Sequence, residues 1–400
     1  MLEELAAIHQ NVMAALPQTE KRYLFDKINW AARAICVTGA RGVGKTTLLC
    51  QYLLSQYQNV SQALYISADH ICVAGLGLFA IAQEFFKFGG KALFIDEIHK
   101  YPDWEREIKN IIDTYRQHQI VFSGSSSVDL HQSKYDLSRR VVYYELKGLS
   151  FREYLHFSAQ LSFPFFTLDE ILHDHVNIAD QFKAVTVLKH YRDYLMHGYF
   201  PFFLEGVQDY GAKITNIIEK VLFEDIATIY NLRQSTLPIL KKLIWLVATS
   251  NGLAPNMERI SKNIGVSRAT VYDCFDYLAH SGLLNNVHVP AKGMKLIRKP
   301  EKIYLENTNL LYAIHADLKL ENDLGGTRET FFVNQLMQKH ALHLHDQGGF
   351  VVDGKYVIEV GGKSKDFRQV KSVENAYLAI DNIEIGFGRK VPLYLFGLLY

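Results

Sequence analysis

The 400-residue sequence predicts an α/β protein whose amino-terminal part is built on a parallel β-sheet. Short apolar runs alternate with helical patterns at residues 35–37, 63–66, 92–95 and 119–123. Strands that alternate with helices form parallel sheets with right-handed crossovers. A glycine-rich turn follows the first run directly and leads into a helical pattern. Helical segments and a second set of strands follow in the carboxyl-terminal part.

The composition is that of an ordinary globular protein. Hydrophobic residues make up 48% and charged residues 21% of the chain, which excludes wholesale disorder. The net charge of +1 gives no global attraction to nucleic acid or membrane, so any such surface must be local. No apolar run approaches the ~20 residues of a membrane span, and the four cysteines show no metal motif. We therefore expect no membrane partner and a cytoplasmic location.

The glycine-rich turn after the first strand has the pattern of a phosphate-binding loop, Gly39-x-x-x-x-Gly44-Lys45-Thr46, between a strand and a helix. Lys45 is expected to reach the β- and γ-phosphates of a nucleotide, and the Thr46 hydroxyl to ligate Mg²⁺. The alternative, a turn that binds nothing, is disfavoured because every fixed position of the pattern is present. The residues predicted to bind the nucleotide are Gly39, Ala40, Arg41, Gly42, Val43, Gly44, Lys45, Thr46 and Thr47.

An acidic pair, Asp96 and Glu97, ends the strand at residues 92–95. Ligands of open parallel sheets bind at the carboxyl ends of the strands, so this pair should lie beside the loop. We predict that Asp96 holds Mg²⁺ and that Glu97 deprotonates the attacking water. The alternative is an acidic helix N-cap. Together the two segments predict a nucleoside triphosphatase site, with ATP favoured because no guanine-specific Asn-Lys-x-Asp motif occurs.

Two further groups are candidates for the same site. The strand at 119–123 leads to a serine run, from which Ser125 or Ser126 is the candidate to touch the γ-phosphate or the attacking water. Arg139 or Arg140, before a strand at 141–145, is the candidate arginine finger, with Arg140 preferred. The alternatives are a helix-capping serine and a surface arginine.

The segments GARGVGKTTLL, ALFIDEIHK, FSGSSS and LSRRVVYYELKGLSFREYL together resemble a large family of prokaryotic AAA-type ATPases whose carboxyl-terminal domain has no known function. HGYFP at 197–201 and EVGGK at 359–363 extend the resemblance along the chain. The resemblance implies ATP binding and hydrolysis, and it names no substrate. We predict an AAA-type ATPase domain at 1–148, a helical lid or linker at 149–250, a winged helix-turn-helix at 251–308 and a restriction-endonuclease-like domain at 309–400.

The winged-helix prediction depends on residues 258–302. A helix, a tight turn at Gly265 and a second helix capped by Ser267 are followed by a basic hairpin. In a DNA-binding interpretation, Ser267, Arg268 and Thr270 face the major groove. The alternative is a winged helix that serves only for packing, which Asp273 and Asp276 on the same helix favour. The basic hairpin residues, expected to touch phosphate, are Lys292, Lys295, Arg298, Lys299 and Lys302.

The last domain resembles the restriction-endonuclease-like fold through Glu329, Asp353, Glu359 and Lys363. In that family two carboxylates hold a divalent metal and a lysine assists the water. The spacing here is Glu-x-x-x-Lys instead of Glu-x-Lys, so we expect the acids to converge without efficient cleavage.

The function predicted from the sequence is Mg²⁺-dependent ATP hydrolysis that controls the winged-helix and nuclease-like modules. Two alternatives remain open: an ATP-regulated module that binds DNA or a protein partner with negligible turnover, and an ATP-gated nuclease. The sequence does not predict the oligomeric state.

Overall fold

The computed structural model describes residues 2–16, 20–125, 137–290, 300–321, 323–346, 348–368, 373 and 375–400. The chain forms two compact units, residues 1–147 and 148–400, each described by itself below. No helix in the described ranges is long and apolar enough to cross a membrane.

The first unit is built around a five-stranded parallel sheet with the order β2-β3-β4-β1-β5. Its strands are β1 (Ala34–Gly39), β2 (Ala63–Ser67), β3 (Ala92–Asp96), β4 (Gln119–Ser125) and β5 (Val142–Glu145). Its helices are α1 (Leu2–Ala14), α2 (Lys45–Gln56), α3 (Ile71–Leu76), α4 (Leu78–Lys87) and α5 (Trp104–Thr114). A single 3₁₀ turn covers Ile98–Lys100.

The central strands of this sheet are buried on both faces, as near-continuous apolar runs require. Every residue of β1 and β3 is buried. Helix α5 turns its isoleucines inward, with Ile108 and Ile111 fully buried in the same core. Helix α1 packs against β2, where the His9 imidazole accepts a hydrogen bond from the Tyr65 N–H at 3.0 Å. The predicted α/β class with a parallel amino-terminal sheet is confirmed.

The second unit begins with a predominantly helical part. Its helices are α6 (Phe151–Ala159), α7 (Leu168–His173), α8 (His175–Asp180), α9 (Val187–His197), α10 (Tyr210–Lys220), α11 (Ala227–Ile229) and α12 (Leu237–Ala248). One π-helical turn, Val221–Ile226, joins α10 to α11. Short 3₁₀ turns cover Pro201–Glu205 and Gln234–Thr236.

Two helices and a hairpin follow, where the sequence predicts a winged helix. Helix α13 (Met257–Ile264) ends at Gly265 (φ 80°), and α14 (Arg268–His280) is capped by the Ser267 hydroxyl, which accepts from the Thr270 N–H at 3.1 Å. Strands β6 (Leu284–Val287) and β7 (Lys302–Leu305) pair antiparallel. The predicted wing residues between 291 and 299 lie outside the described residues.

The unit ends in a mixed five-stranded sheet with the order β12-β11-β10-β9-β8. Its strands are β8 (Leu342–Leu344), β9 (Phe350–Val352), β10 (Tyr356–Gly361), β11 (Ala376–Ile380) and β12 (Lys390–Pro392). It is accompanied by helices α15 (Thr308–Asp317) and α16 (Leu324–Leu336) and by a 3₁₀ segment, Leu393–Leu398.

Buried hydrogen bonds join helix α15 to the helical part of this unit. The buried Asn309 amide donates to the carbonyls of Tyr194 and Leu195 at 3.0 and 2.9 Å. Its oxygen accepts from the Tyr199 N–H at 2.8 Å and from the Tyr210 hydroxyl at 2.5 Å. Helix α15 is thereby tied to the segment predicted as a linker, which explains why residues 148–400 form one unit.

Candidate nucleotide site

The phosphate loop leaves the carboxyl end of β1 and enters α2 at Lys45. Gly44, the residue before the helix, has φ 94°, a left-handed conformation that glycine takes without strain. Gly39 is required for a different reason, since a Cβ there would lie 2.2 Å from the Leu146 carbonyl oxygen. The loop therefore needs both glycines of the pattern to follow this path.

Lys45 lies beneath the loop with its ammonium almost fully buried. It donates to the carbonyl oxygens of Gly39 and Ala40 at 2.9 and 3.0 Å. A second cation supports the loop from outside the motif, because the buried Arg22 guanidinium donates to the Val43 carbonyl at 2.5 Å and to the Lys147 carbonyl at 2.7 Å. Arg22 was missed from the sequence, since nothing in its neighbourhood marks an arginine that braces a loop 21 residues downstream.

The Asp96 carboxylate, at the end of β3, is the centre of the site and is buried. Its Oδ2 accepts from the Thr46 hydroxyl at 2.5 Å and from the Tyr65 hydroxyl at 3.0 Å. Its Oδ1 accepts from the Ser123 hydroxyl and from the Glu97 N–H at 3.1 Å. Burial and the neighbouring Asp96 charge raise the pKa of Tyr65, which keeps its hydroxyl protonated and able to donate.

The structure brings Thr46 and Asp96 together as the sequence predicts. A hydroxyl and a carboxylate oxygen are hard donors of the kind that Mg²⁺ selects, and Mg²⁺ is usually held by one or two such groups together with phosphate oxygens and water. The pair that fits this role lies directly under the loop whose amides would face the phosphates. The donor set therefore fits the metal that the sequence implies.

Glu97 follows with the left-handed backbone angles φ 52° and ψ 40°, which are uncommon for a residue with a side chain. Its N–H also donates to the Ser123 hydroxyl at 3.1 Å. Its Oε2 lies 3.4 Å from Nε2 of His99. The Nδ1 atom of the same imidazole accepts from the Ser125 N–H at 3.3 Å. Strand β4 thus contacts Glu97 both directly and through His99.

Ser123, His99 and Tyr65 were not predicted from the sequence. Strand β4 lies between β3 and β1, with Ile95 beside Phe122 and Gly39 beside Ser125. The QIVFSGS pattern places two serines on alternate positions of that strand, which is the signal that would have pointed to Ser123. Ser125 does lie at the predicted edge and is buried, whereas Ser126 lies outside the described residues.

Arg140 is not brought to this site within the chain. Its guanidinium binds Asp113 in the last turn of α5, with Nε 2.8 Å from Oδ1, and it lowers the pKa of that carboxyl. It precedes β5, which starts beside Ile35 at the amino end of β1. The phosphate loop leaves the opposite end of β1, so Arg140 and the loop lie at opposite ends of the strands.

The carboxylates predicted to converge in the last domain do not meet, and that prediction is wrong. Asp353 lies in the turn after β9, where it accepts from the Ala341 N–H at 2.9 Å and binds His340 Nδ1 at 2.7 Å. Tyr356 lies opposite Val352, the residue before Asp353. Glu359 lies three residues further along β10, roughly 10 Å from Tyr356 at ~3.3 Å per residue. Its buried carboxylate pairs with Lys365 at 2.5 Å, while Lys363 is exposed.

Glu329, the third predicted acid of that domain, is engaged elsewhere. It accepts from the Tyr304 hydroxyl at 2.7 Å and from Lys302 at 3.2 Å. Within the described parts of the chain, no group of three or more His, Cys, Asp or Glu side chains is arranged to hold a metal ion. The expected degenerate metal site is therefore not assembled in this sheet.

A parallel sheet with a glycine-rich phosphate loop at the end of one strand and an acidic pair at the end of another defines a P-loop nucleotide-binding domain. Residues 31–155 match the model of a protein family described as an AAA domain. Residues 188–323 match a second family, described as a domain of unknown function. The first match lies mostly in the first unit and indicates an AAA-type domain there, whereas the second match carries no functional description.

Among known proteins, the chain is similar to an uncharacterised protein of Methanocaldococcus jannaschii, with 27% identity over 288 residues. The match covers 67% of this chain and 59% of the relative's length. Among solved structures, DnaA from Aquifex aeolicus, bound to AMPPCP, shares 16% identity over 69% of this chain and 88% of its own, with a TM-score of 0.26. PCH-2 of C. elegans shares 14% identity over 68% and 67%, with a TM-score of 0.22. These TM-scores are too low to indicate a shared overall structure.

Proposed function

We propose that the protein is a Mg²⁺-dependent ATP hydrolase. The observation that carries this proposal is the 2.5 Å contact between the Thr46 hydroxyl and the Asp96 carboxylate, directly below a loop whose lysine is buried and fixed. Burying a carboxylate is costly unless its charge is compensated. A glycine-rich turn that binds no nucleotide gains nothing from a buried carboxylate at this position. Glu97, adjacent to Asp96, supplies a second carboxylate that is partly exposed.

The proposed roles follow from the positions of the groups. The loop amides and Lys45 bind the β- and γ-phosphates, and Thr46 and Asp96 hold the metal ion. Bound Mg²⁺ supplies positive charge that offsets the charge of the phosphates. Glu97 accepts a proton from the water whose oxygen attacks the γ-phosphorus, while the bond from that phosphorus to the bridging oxygen of ADP breaks.

Steady-state hydrolysis of ATP, with and without Mg²⁺, tests the proposal. Lys45→Ala should weaken nucleotide binding because it removes a charge-assisted contact to phosphate. Glu97→Gln should leave binding intact and lower turnover by roughly 10²–10⁴-fold, the usual contribution of a general base. Glu84→Gln, on helix α4 of the same unit, is the matched control and should retain full activity. Wild-type turnover by Glu97→Gln would show that the assigned role is wrong.

The same measurements separate this proposal from the main alternative, a regulatory module that uses ATP only as a ligand. That alternative predicts Mg²⁺-dependent binding of ATP that Lys45→Ala weakens, together with negligible turnover by the wild-type protein. It also predicts no difference in turnover between the wild type and Glu97→Gln.

Nucleotide-dependent DNA binding through the second unit is a second candidate. It is supported by the two helices α13 and α14, separated by the turn at Gly265, and by the antiparallel hairpin that follows them. At the start of α14, Arg268 lies 3.5 Å from Glu258, and both side chains are exposed. A DNA phosphate could therefore replace Glu258 as the partner of Arg268 with little loss of stability.

The test is the salt dependence of duplex-DNA affinity for the full chain, with and without ATP. Because each neutralised phosphate contributes a slope of about −0.9 to log K against log salt, neutralising four basic hairpin residues should flatten the dependence measurably. The four are Lys292, Lys295, Arg298 and Lys299. An unchanged slope, or no binding at low salt, would assign α13 and α14 a packing role.

A further inference from the structure

We propose that His99 is a positioning residue that orients the Glu97 carboxylate for proton transfer. The inference rests on the proposed function, and it assigns a role to a side chain that neither the phosphate loop nor the acidic pair includes. His99 lies in the 3₁₀ turn after β3, with its side chain only 6% exposed. It reaches Glu97 with one ring nitrogen and strand β4 with the other.

The contact with β4 determines which ring nitrogen carries the proton. A main-chain N–H can only donate, and the Ser125 N–H lies 3.3 Å from Nδ1 of His99. Nδ1 is therefore the unprotonated nitrogen, and the proton of the neutral ring lies on Nε2. Nε2 lies 3.4 Å from Oε2 of Glu97, so its N–H faces the carboxylate at a distance that a small side-chain rotation shortens to a hydrogen bond.

The backbone of Glu97 is fixed by β4, and a hydrogen bond from His99 extends that order to the carboxylate. The left-handed backbone of Glu97 is held by the hydrogen bonds from its N–H to Ser123 and Asp96. The side chain keeps 24% of its surface exposed, and a glutamate side chain in solvent samples many rotamers. A donor from the buried His99, whose other ring nitrogen accepts from Ser125 on β4, restricts that sampling.

A general base must come within about 2.6–3.2 Å of the proton that it removes, so restricting its rotamers raises turnover more than it affects nucleotide binding. We expect loss of the His99 donor to lower kcat about 10-fold or more, the scale of one hydrogen bond to a charged group. The KM for ATP should change less than twofold, because Glu97, which His99 faces, is proposed to act on the attacking water and not to bind the nucleotide.

Two substitutions of similar size separate positioning from a merely structural role. In His99→Gln the side-chain NH₂ takes the place of Nε2–H and can still donate to Glu97, so kcat should stay close to that of the wild type. In His99→Asn the carbonyl oxygen takes the place of Nδ1 and can still accept from Ser125, but the donor from position 99 to Glu97 is lost, so kcat should fall. His118→Leu, at the other edge of the same sheet where the ring stacks on Phe86, is the control for general loss of packing and should keep kcat.

The effect must also depend on Glu97. In a Glu97→Gln background, adding His99→Asn should leave the residual rate unchanged, because no base remains to be oriented. Retained kcat in His99→Asn, or an additive loss in the double variant, would overturn the proposal. Failure of the proposed function gives a different result, since the wild type would then show no Mg²⁺-dependent hydrolysis for His99 to affect.

Discussion

Replacing Ser123 with alanine removes a hydroxyl that contacts both members of the acidic pair. Ser123 is fully buried on β4, and its Oγ donates to Oδ1 of Asp96 while it accepts from the Glu97 N–H at 3.1 Å. The substitution leaves the fold of the strand intact, because alanine fits the same backbone and removes one oxygen atom. Its effect should therefore appear in the chemistry of the site and not in folding.

The expected magnitude follows from the four hydrogen bonds that the Asp96 carboxylate accepts, from Thr46, Tyr65, Ser123 and the Glu97 N–H. A hydrogen bond to a charged group contributes about 1.5–3 kcal/mol, which corresponds to roughly 10–100-fold in an equilibrium constant. Partners that orient a metal ligand show a similar range in metal affinity. Because three of the four donors remain, we expect the lower end of that range, about a tenfold loss.

The measurement is the Mg²⁺ concentration that gives half-maximal ATP hydrolysis, which should rise about tenfold in Ser123→Ala. Ser67→Ala is a matched control, because Ser67 lies beside Asp96 on the other neighbouring strand but donates to Asp69 at 2.6 Å. Its Mg²⁺ dependence should equal that of the wild type. An unchanged half-maximal concentration in Ser123→Ala would refute the view that β4 orients the metal-binding carboxylate.

Two further predictions concern stability. Burial lowers the pKa of His9, whose Nδ1 accepts from the Tyr65 N–H, so at low pH the unfolded chain binds a proton that the native chain excludes. The free energy of unfolding should therefore fall as the pH drops below about 6.5, by at most about 1.4 kcal/mol per pH unit. Urea unfolding at pH 7 and pH 5 measures this dependence, which should be less steep in His9→Asn. Asn309→Ala should destabilise the second unit by about 3–4 kcal/mol, since it removes four buried hydrogen bonds. Asn256→Ala removes only the helix cap to Arg259 and should cost about 1 kcal/mol, and equal losses in denaturant unfolding would contradict this account.

Local sequence patterns were sufficient to predict the amino-terminal sheet. The strands at 92–95 and 119–123 are apolar on both faces, which only a buried parallel strand requires, and they were found within a residue or two of their ends. The phosphate loop was predictable because its backbone path requires glycines at fixed positions, and few other sequence patterns have that spacing. These features depend on neighbours in the sequence, so the sequence alone reveals them.

The features that were missed depend on residues far apart in the sequence. Arg22 binds a loop carbonyl 21 residues away, and Asn309 binds main-chain atoms more than 100 residues away. Neither has a local pattern, because a buried polar side chain looks the same in sequence whether its partner is near or distant. The hydrogen bonds that tie helices α9 and α10 to α15 are invisible to periodicity for the same reason.

The expected convergence of Asp353 and Glu359 is excluded by the register of strands β9 and β10. Glu359 and Asp353 were expected to converge because they lie on the two arms of one hairpin, but Tyr356 pairs with Val352, which places Asp353 at the turn. Phe350 pairs with Ile358, so the residue opposite Glu359 is Gly349. A Cβ added to Gly349 would lie 2.9 Å from the Glu359 side chain. A residue without a side chain offers no ligand there, and Lys365 compensates the buried charge instead.

The supporting groups of the nucleotide site come chiefly from β4, which the two recognisable motifs do not include. Ser123 holds Asp96 and the backbone of Glu97, and the Ser125 N–H fixes the tautomer of His99, which faces the Glu97 carboxylate. A chain could keep the phosphate loop and the acidic pair and lose these contacts without losing a nucleotide ligand. Under the proposed function, such a chain should bind ATP and turn it over slowly, because the proposal assigns binding to the loop and turnover to the carboxylates that β4 orients.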